Sequence, residues 1–168
     1  MSISMYQASV PVFTKNLGNL SAILDKAIAF AAAKKIDHAT ILNWRVTPDM
    51  LTFQRQIWIA ADFAKGASAR LAGVEVPAWD DNEKTLQEMQ ARIAKTIEFC
   101  NAIPAAKIDG SEERAIEIKM GGNPVTFKGQ PYLLNYALTN FFFHMTTTYL
   151  ILRQMGVEIG KKDFIGSV

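Results

Sequence analysis

Residues 10–31 read VPVFTKNLGNLSAILDKAIAFA, and this stretch decides the fold. Its apolar series is Val10, Phe13, Leu17, Leu20, Leu24, Ala27 and Ala31. Spacings of three and four alternate along it, which places these side chains on one face of an α-helix. Ile3 and Tyr6 continue the series upstream, and Ser4 with Gln7 has the spacing of a capping box. The reading is a long first helix over residues 4–34, kinked or restarted at Pro11, which lacks a backbone donor.

The same period returns three times downstream. Thr47-Pro48-Asp49 has the residues of a helix start, and Met50, Phe53, Ile57, Ala60 or Ala61, Ala64, Ala67 and Leu71 carry a stripe to a stop at Gly73. Asp80 with Glu83 opens a third helix, with Leu86, Met89, Ile93, Ile97 and Cys100 inward and Pro104 at its end. Pro131 begins a fourth, with Leu133, Ala137, Asn140 or Phe141, His144, Thr148, Ile151 and Met155 on its stripe and Gly156 at its end. Between the third and fourth, Ile116, Ile118 and Met120 alternate with charged residues before Gly121-Gly122-Asn123, the pattern of a β-hairpin. An isolated hairpin is marginal in water, so this one must lie against the helices. The expected fold is all-α, an antiparallel four-helix bundle with a small β-hairpin between helices three and four, in one domain over residues 1–168. The connection at 35–47 and the tail from 157 read as irregular.

Composition excludes several functions. Eighteen Lys and Arg against sixteen Asp and Glu leave a formal net charge of +2, and no long run of like charge appears, so no nucleic-acid partner is expected. No uninterrupted apolar run is long enough to span a bilayer, so no membrane partner is expected. A lone cysteine, Cys100, rules out an intrachain disulfide and CxxC chemistry. With no basic n-region and apolar run at the start, the expected location is cytoplasmic.

The residues that draw chemical attention are polar ones on inward faces. His144 lies on the stripe of the last helix, and a buried imidazole needs a hydrogen-bond partner or a metal. Asn140, one turn earlier, shares its face. Asp62 flanks the stripe of the second helix and is the expected carboxylate partner of His144; otherwise it pairs with Lys65 or Arg55. His38, in a loop, reads as solvated, and Cys100 as a small core hydrophobe. Three consecutive rings, Phe141-Phe142-Phe143, spread over about 200° of a helix and cannot all enter one core, so a homodimer or the hairpin is expected to cover some of them. A small-molecule pocket lined by Trp58, Phe142, Tyr149 and the hairpin is a further expectation.

Six segments carry a resemblance: MYQASVPVF at 5–13, PDM at 48–50, ADFAKGA at 61–67, RLAGVEVP at 70–77, NFFFHMTT at 140–147 and LRQMGV at 152–157. Together they resemble an uncharacterised bacterial family with the DinB/YfiT-like bundle fold. The wider group looks like a set of metal-binding bundles with one histidine on helix two and an H-x-x-x-H pair on the last helix. Carried over by the resemblance, His144 matches the second histidine of that pair, Asn140 stands at the first, and Asp62 stands near the third. Two of the three ligand positions are thus changed.

The resemblance implies two alternatives for this set. Asp62, Asn140 and His144 either form a hydrogen-bond network with no cofactor, or hold a divalent metal (Zn, Ni or Fe). The corresponding functions are a dimeric binding or structural protein with a degenerate metal site, and a metal- and thiol-dependent transferase or isomerase acting on a small molecule.

Overall fold

The computed structural model describes residues 2–167; the two ends of the expected domain, residues 1 and 168, lie outside the described residues. Helix α1 runs Val10–Lys34 and buries Val10, Phe13, Leu17, Leu20, Leu24, Ala27 and Ala31, the residues the spacing selects, together with Ile23. Its start differs from expectation. Ser4 and Gln7 do bond reciprocally, at 3.2 Å each way, but they close a single turn, and Ile3 is 80% exposed. Pro11 sits in the first turn of α1, where a missing N–H costs nothing, so it begins the helix instead of kinking it.

The 35–47 connection is not wholly irregular, because a short helix α2 occupies His38–Leu42 and buries Ile41 and Leu42. Thr47-Pro48-Asp49 makes a turn instead of a helix start: Thr47 Oγ1 donates to Asp49 at 2.7 Å and Met50 N–H to the Thr47 carbonyl at 3.1 Å. Helix α3 begins later, at Phe53, and runs to Ala72, closed by Gly73 at φ 67°. Helix α4, Leu86–Asn101, also begins later than Asp80, with its capping box formed by Thr85 and Glu88. A capping box needs a free serine or threonine hydroxyl and a free glutamate or glutamine three residues on. Glu83 is unavailable, since it accepts from Trp58 Nε1 at 2.7 Å and from Arg92 at 3.2 Å.

A single turn of helix α5, Ala105–Ile108, follows Pro104. Strands β1, Ala115–Met120, and β2, Asn123–Lys128, pair antiparallel through a two-residue Gly121-Gly122 turn with φ of 57° and 87°. Both signs are positive, as a primed hairpin turn requires and as glycine permits. Ile116 is buried opposite Phe127, and Phe127 packs on Tyr132 and Tyr136, so the hairpin does rest on the helices. The last long helix has three parts: α6, Gly129–Pro131, a π-helical segment at Tyr132–Ala137, and α7, Leu138–Gln154. The tail is not irregular throughout, because α8, Lys161–Ile165, docks on α1. Lys26 bonds Asp163 at 2.7 Å and Asn19 donates to the carbonyls of Phe164 and Ile165.

The chain is therefore mostly helical with one small hairpin. Helix α3 packs chiefly on α7, α1 on α4, and α3 also on α4. Phe13 is fully buried and meets Phe141 of α7 edge-on at 5.0 Å, tying α1 to the last helix. Phe13→Ala should therefore cost about 3–5 kcal/mol. Urea unfolding checks this; a loss below about 1 kcal/mol would place the junction elsewhere.

Candidate functional site

The imidazole of His144 is buried within the protein, as its place on the stripe predicts. Its partner is not Asp62. His144 Nδ1 lies 2.6 Å from Gln56 Oε1 on α3. The Gln56 amide nitrogen donates to the Leu51 carbonyl at 3.1 Å, so the amide oxygen faces the ring and the ring's Nδ1–H donates. Phe63 stacks over the imidazole at 6.2 Å and Phe143 meets it edge-on at 5.2 Å. Burial alone pushes its pKa down from 6.5, because no carboxylate stands beside it to favour the charged form.

Asp62 follows Gln56 by six residues, which turns it about 120° around the helix from the histidine-facing side. It lies at the surface, 47% exposed, and bonds Lys65 at 2.9 Å and Arg92 at 3.5 Å. Arg92 itself is nearly inaccessible and also pairs with Asp81 at 2.8 Å and Glu83 at 3.2 Å. Trp79 lies against the same cations, 4.3 Å from Lys65 Nζ and 4.4 Å from Lys95 Nζ. Asp62 thus belongs to an ion network that straps the segment before α4 across α3 and α4.

Asn140 also has another task. Its side-chain amide donates to the Tyr136 carbonyl at 2.8 Å, and Thr139 Oγ1 donates to the Asn135 carbonyl at 3.2 Å. Both carbonyls lie in the π-helical segment, where the i→i−4 ladder is interrupted and carbonyls need other donors. The residue type at 140 is explained by the backbone one turn before it. No sequence signal marked that π segment.

The expected pocket lining is dispersed. Trp58 bonds Glu83, Phe142 packs on Phe141, and Tyr149 packs on Phe164 of α8. A cleft of about 640 Å³ does open beneath the hairpin, but other residues line it: Ile59, Asp62, Phe63 and Arg70 of α3, Tyr132 and Tyr136 of the π segment, and Glu117, Ile118, Lys119 and Pro124 of the hairpin. Arg70 Nη1 donates to the Tyr132 hydroxyl at 3.2 Å. Burial raises the Tyr132 pKa, and the Arg70 charge and hydrogen bond oppose that rise.

The remaining candidates are structural. His38 Nδ1 accepts the Leu86 N–H at 3.2 Å, so it satisfies one of the free amides opening α4 instead of standing in solvent. Cys100 is buried beside Ser68, and burial pushes its thiol up to about 11, which leaves no thiolate for nucleophilic work.

The donor set does not fit Zn, Ni or Fe. One imidazole is present, its Nδ1 bonded to the Gln56 amide oxygen; Asp62 is ion-paired with Lys65 and Arg92, and the Asn140 amide nitrogen donates to the Tyr136 carbonyl, so the three side chains do not converge. Among the described residues, no group of three His, Cys, Asp or Glu side chains is placed to hold a metal ion. Amide oxygens are poor ligands for these borderline ions.

A mostly helical chain with one small two-stranded hairpin is consistent with a DinB-like fold. The chain belongs to the family described as a domain of unknown function, DUF1993, whose profile matches residues 5–165. It is similar to a DinB family member protein from Shewanella denitrificans, known from a crystal structure at 1.83 Å resolution. That protein shares 40% identity and a TM-score of 0.86, over 97% of this chain and 92% of the other. No curated protein matches the chain. No helix among the described residues is long and apolar enough to cross a membrane.

The His144 environment makes a pH prediction. The folded-state pKa lies below 6.5, so the unfolded chain binds the proton first as pH falls. The contribution of His144 to stability is complete above the unfolded value and is lost progressively as pH drops from there through the folded value. Its ring proton should titrate in NMR with a midpoint below 6.5. A midpoint above that value would require a carboxylate neighbour.

Proposed function

We propose that this chain is a dimeric binding or structural protein, built as an antiparallel four-helix bundle in which the metal site of DinB-like proteins is degenerate. The observation that carries the reading is the 2.6 Å contact between His144 Nδ1 and Gln56 Oε1. A buried pair of this kind satisfies the imidazole without a cation. It joins α3 to α7 as a metal would, but with neutral groups. Of the expected set only His144 keeps an inward polar contact, while Asn140 serves the Tyr136 carbonyl and Asp62 the surface network. Nothing in this donor set supports the metal- and thiol-dependent transferase or isomerase, because that chemistry needs a Lewis acid to activate a small thiol, and Asp62, Asn140 and His144 do not converge to hold one.

Metal analysis tests this. Protein purified without chelator should hold far less than one Zn, Ni or Fe per chain. A stoichiometric, EDTA-removable metal that is lost in His144→Ala would end the reading.

The dimer is supported by one face of α7. Phe143 is 55% exposed and Leu150, two turns on, is 47% exposed, while Phe141 is fully buried. Of the three consecutive rings, the third is the one left for a partner, and a second copy of this chain is the simplest cover. Phe143→Glu should convert a dimer to a monomer in sedimentation while helical circular dichroism is kept. A variant that sediments as wild type would remove this face from the interface.

A further inference from the structure

We infer that the cleft beneath the hairpin binds a small organic anion with a flat apolar body, held at its charged end by Arg70. This rests on the binding reading above only in supplying that reading with a ligand; the metal content and the dimer stand or fall separately.

Four observations converge on Arg70. First, its guanidinium lines the cleft and forms no ion pair with any carboxylate among the described residues. The cleft's two acids do not neutralise it: Asp62 is held by Lys65 at 2.9 Å, and Glu117 lies on the same hairpin rim as Lys119. A guanidinium offers five donors in a planar fork that matches a carboxylate or phosphate, and one donor is used here, on the Tyr132 hydroxyl.

Second, the position of that guanidinium is built. It folds back along its own helix over Gly66, close enough that a Cβ at residue 66 would collide with Nη1. The three side-chain atoms nearest such a Cβ all belong to the Arg70 guanidinium. Glycine inside a helix is unfavourable by about 1 kcal/mol relative to alanine. A glycine at 66 therefore serves the placement of Arg70 and does not serve the helix.

Third, the rest of the cleft suits a ring. Phe63, Tyr136 and Tyr132 line it, with Phe63 and Tyr136 edge-on at 5.6 Å and Tyr136 and Tyr132 tilted to one another at 5.9 Å. Ile118 closes the hairpin side. Fourth, its volume of about 640 Å³ is in the range of small-molecule sites, which combine apolar walls with few convergent polar groups. Both tyrosines come from the π segment, and such interruptions recur at functional sites.

Titration of the full-length protein with 1-naphthoate, followed by NMR chemical shifts and calorimetry, tests this. 1-Naphthyl phosphate gives the phosphate arm, and the neutral 1-naphthalenemethanol is the control. One of the two anions should saturate the protein, with shifts confined to the hairpin, α3 and the π segment. The neutral ring should bind at least about tenfold more weakly, the loss expected when a charge-assisted hydrogen bond is removed. Arg70→Met should lose the same factor. Gly66→Ala retains the arginine and favours the helix, so it should keep or raise thermal stability while weakening the anion by a similar factor. Three results would overturn the inference: neither anion binding, equal binding of anion and neutral ring, or full anion affinity in Gly66→Ala.

Discussion

The apolar stripe of α1 is the constraint on which everything else rests. Seven of its residues are buried, and they leave α1 with neighbours on several sides: α4 most extensively, α3 and α7 behind, and α8 across its outer face. A helix that buries so much of its face cannot rotate without exposing Phe13 or Leu17, so its rotation sets where the other helices lie. Charged and polar groups must then be accommodated around a core already fixed, at a cost for every one left without a partner.

Two polar solutions follow, and they differ in kind. Near the surface, Arg92 is closed off by Asp62, Asp81 and Glu83, with its Nη1 also donating to the Asp80 carbonyl at 2.9 Å. That network holds down a long connection which has no helix or strand of its own. Deeper in, His144 and Gln56 are joined as neutral groups, which suits a site where a charge would be poorly solvated. The resemblance to metal-binding bundles placed Asp62 beside His144, whereas the structure sets Gln56 against the imidazole and Asp62 in the surface ion network.

The hairpin contributes a roof more than a sheet. Gly129 follows it with no room for a side chain, since the Ser111 carbonyl occupies that space, and Gln130 N–H donates to the Glu112 carbonyl at 2.9 Å. These contacts fix the hairpin's base beside the π segment, and Phe127 fixes its body on Tyr132 and Tyr136.

The sequence by itself determined the helical stripes, the hairpin and its glycine turn, and the inward position of His144. All of these are local periodicities or turn chemistries, which short-range geometry enforces whatever the surroundings. The helix starts were less legible, because Thr47 and Glu83 have the residue types of caps while their side chains are used elsewhere. Which side chain meets His144 was decided by tertiary structure alone. Gln56 and Asp62 both lie near the stripe of α3, and only the rotation of α3 against α7 selects between them. The cleft was illegible for the same reason: Arg70, Tyr132 and Lys119 come from three separate elements, and no spacing within one element records their meeting.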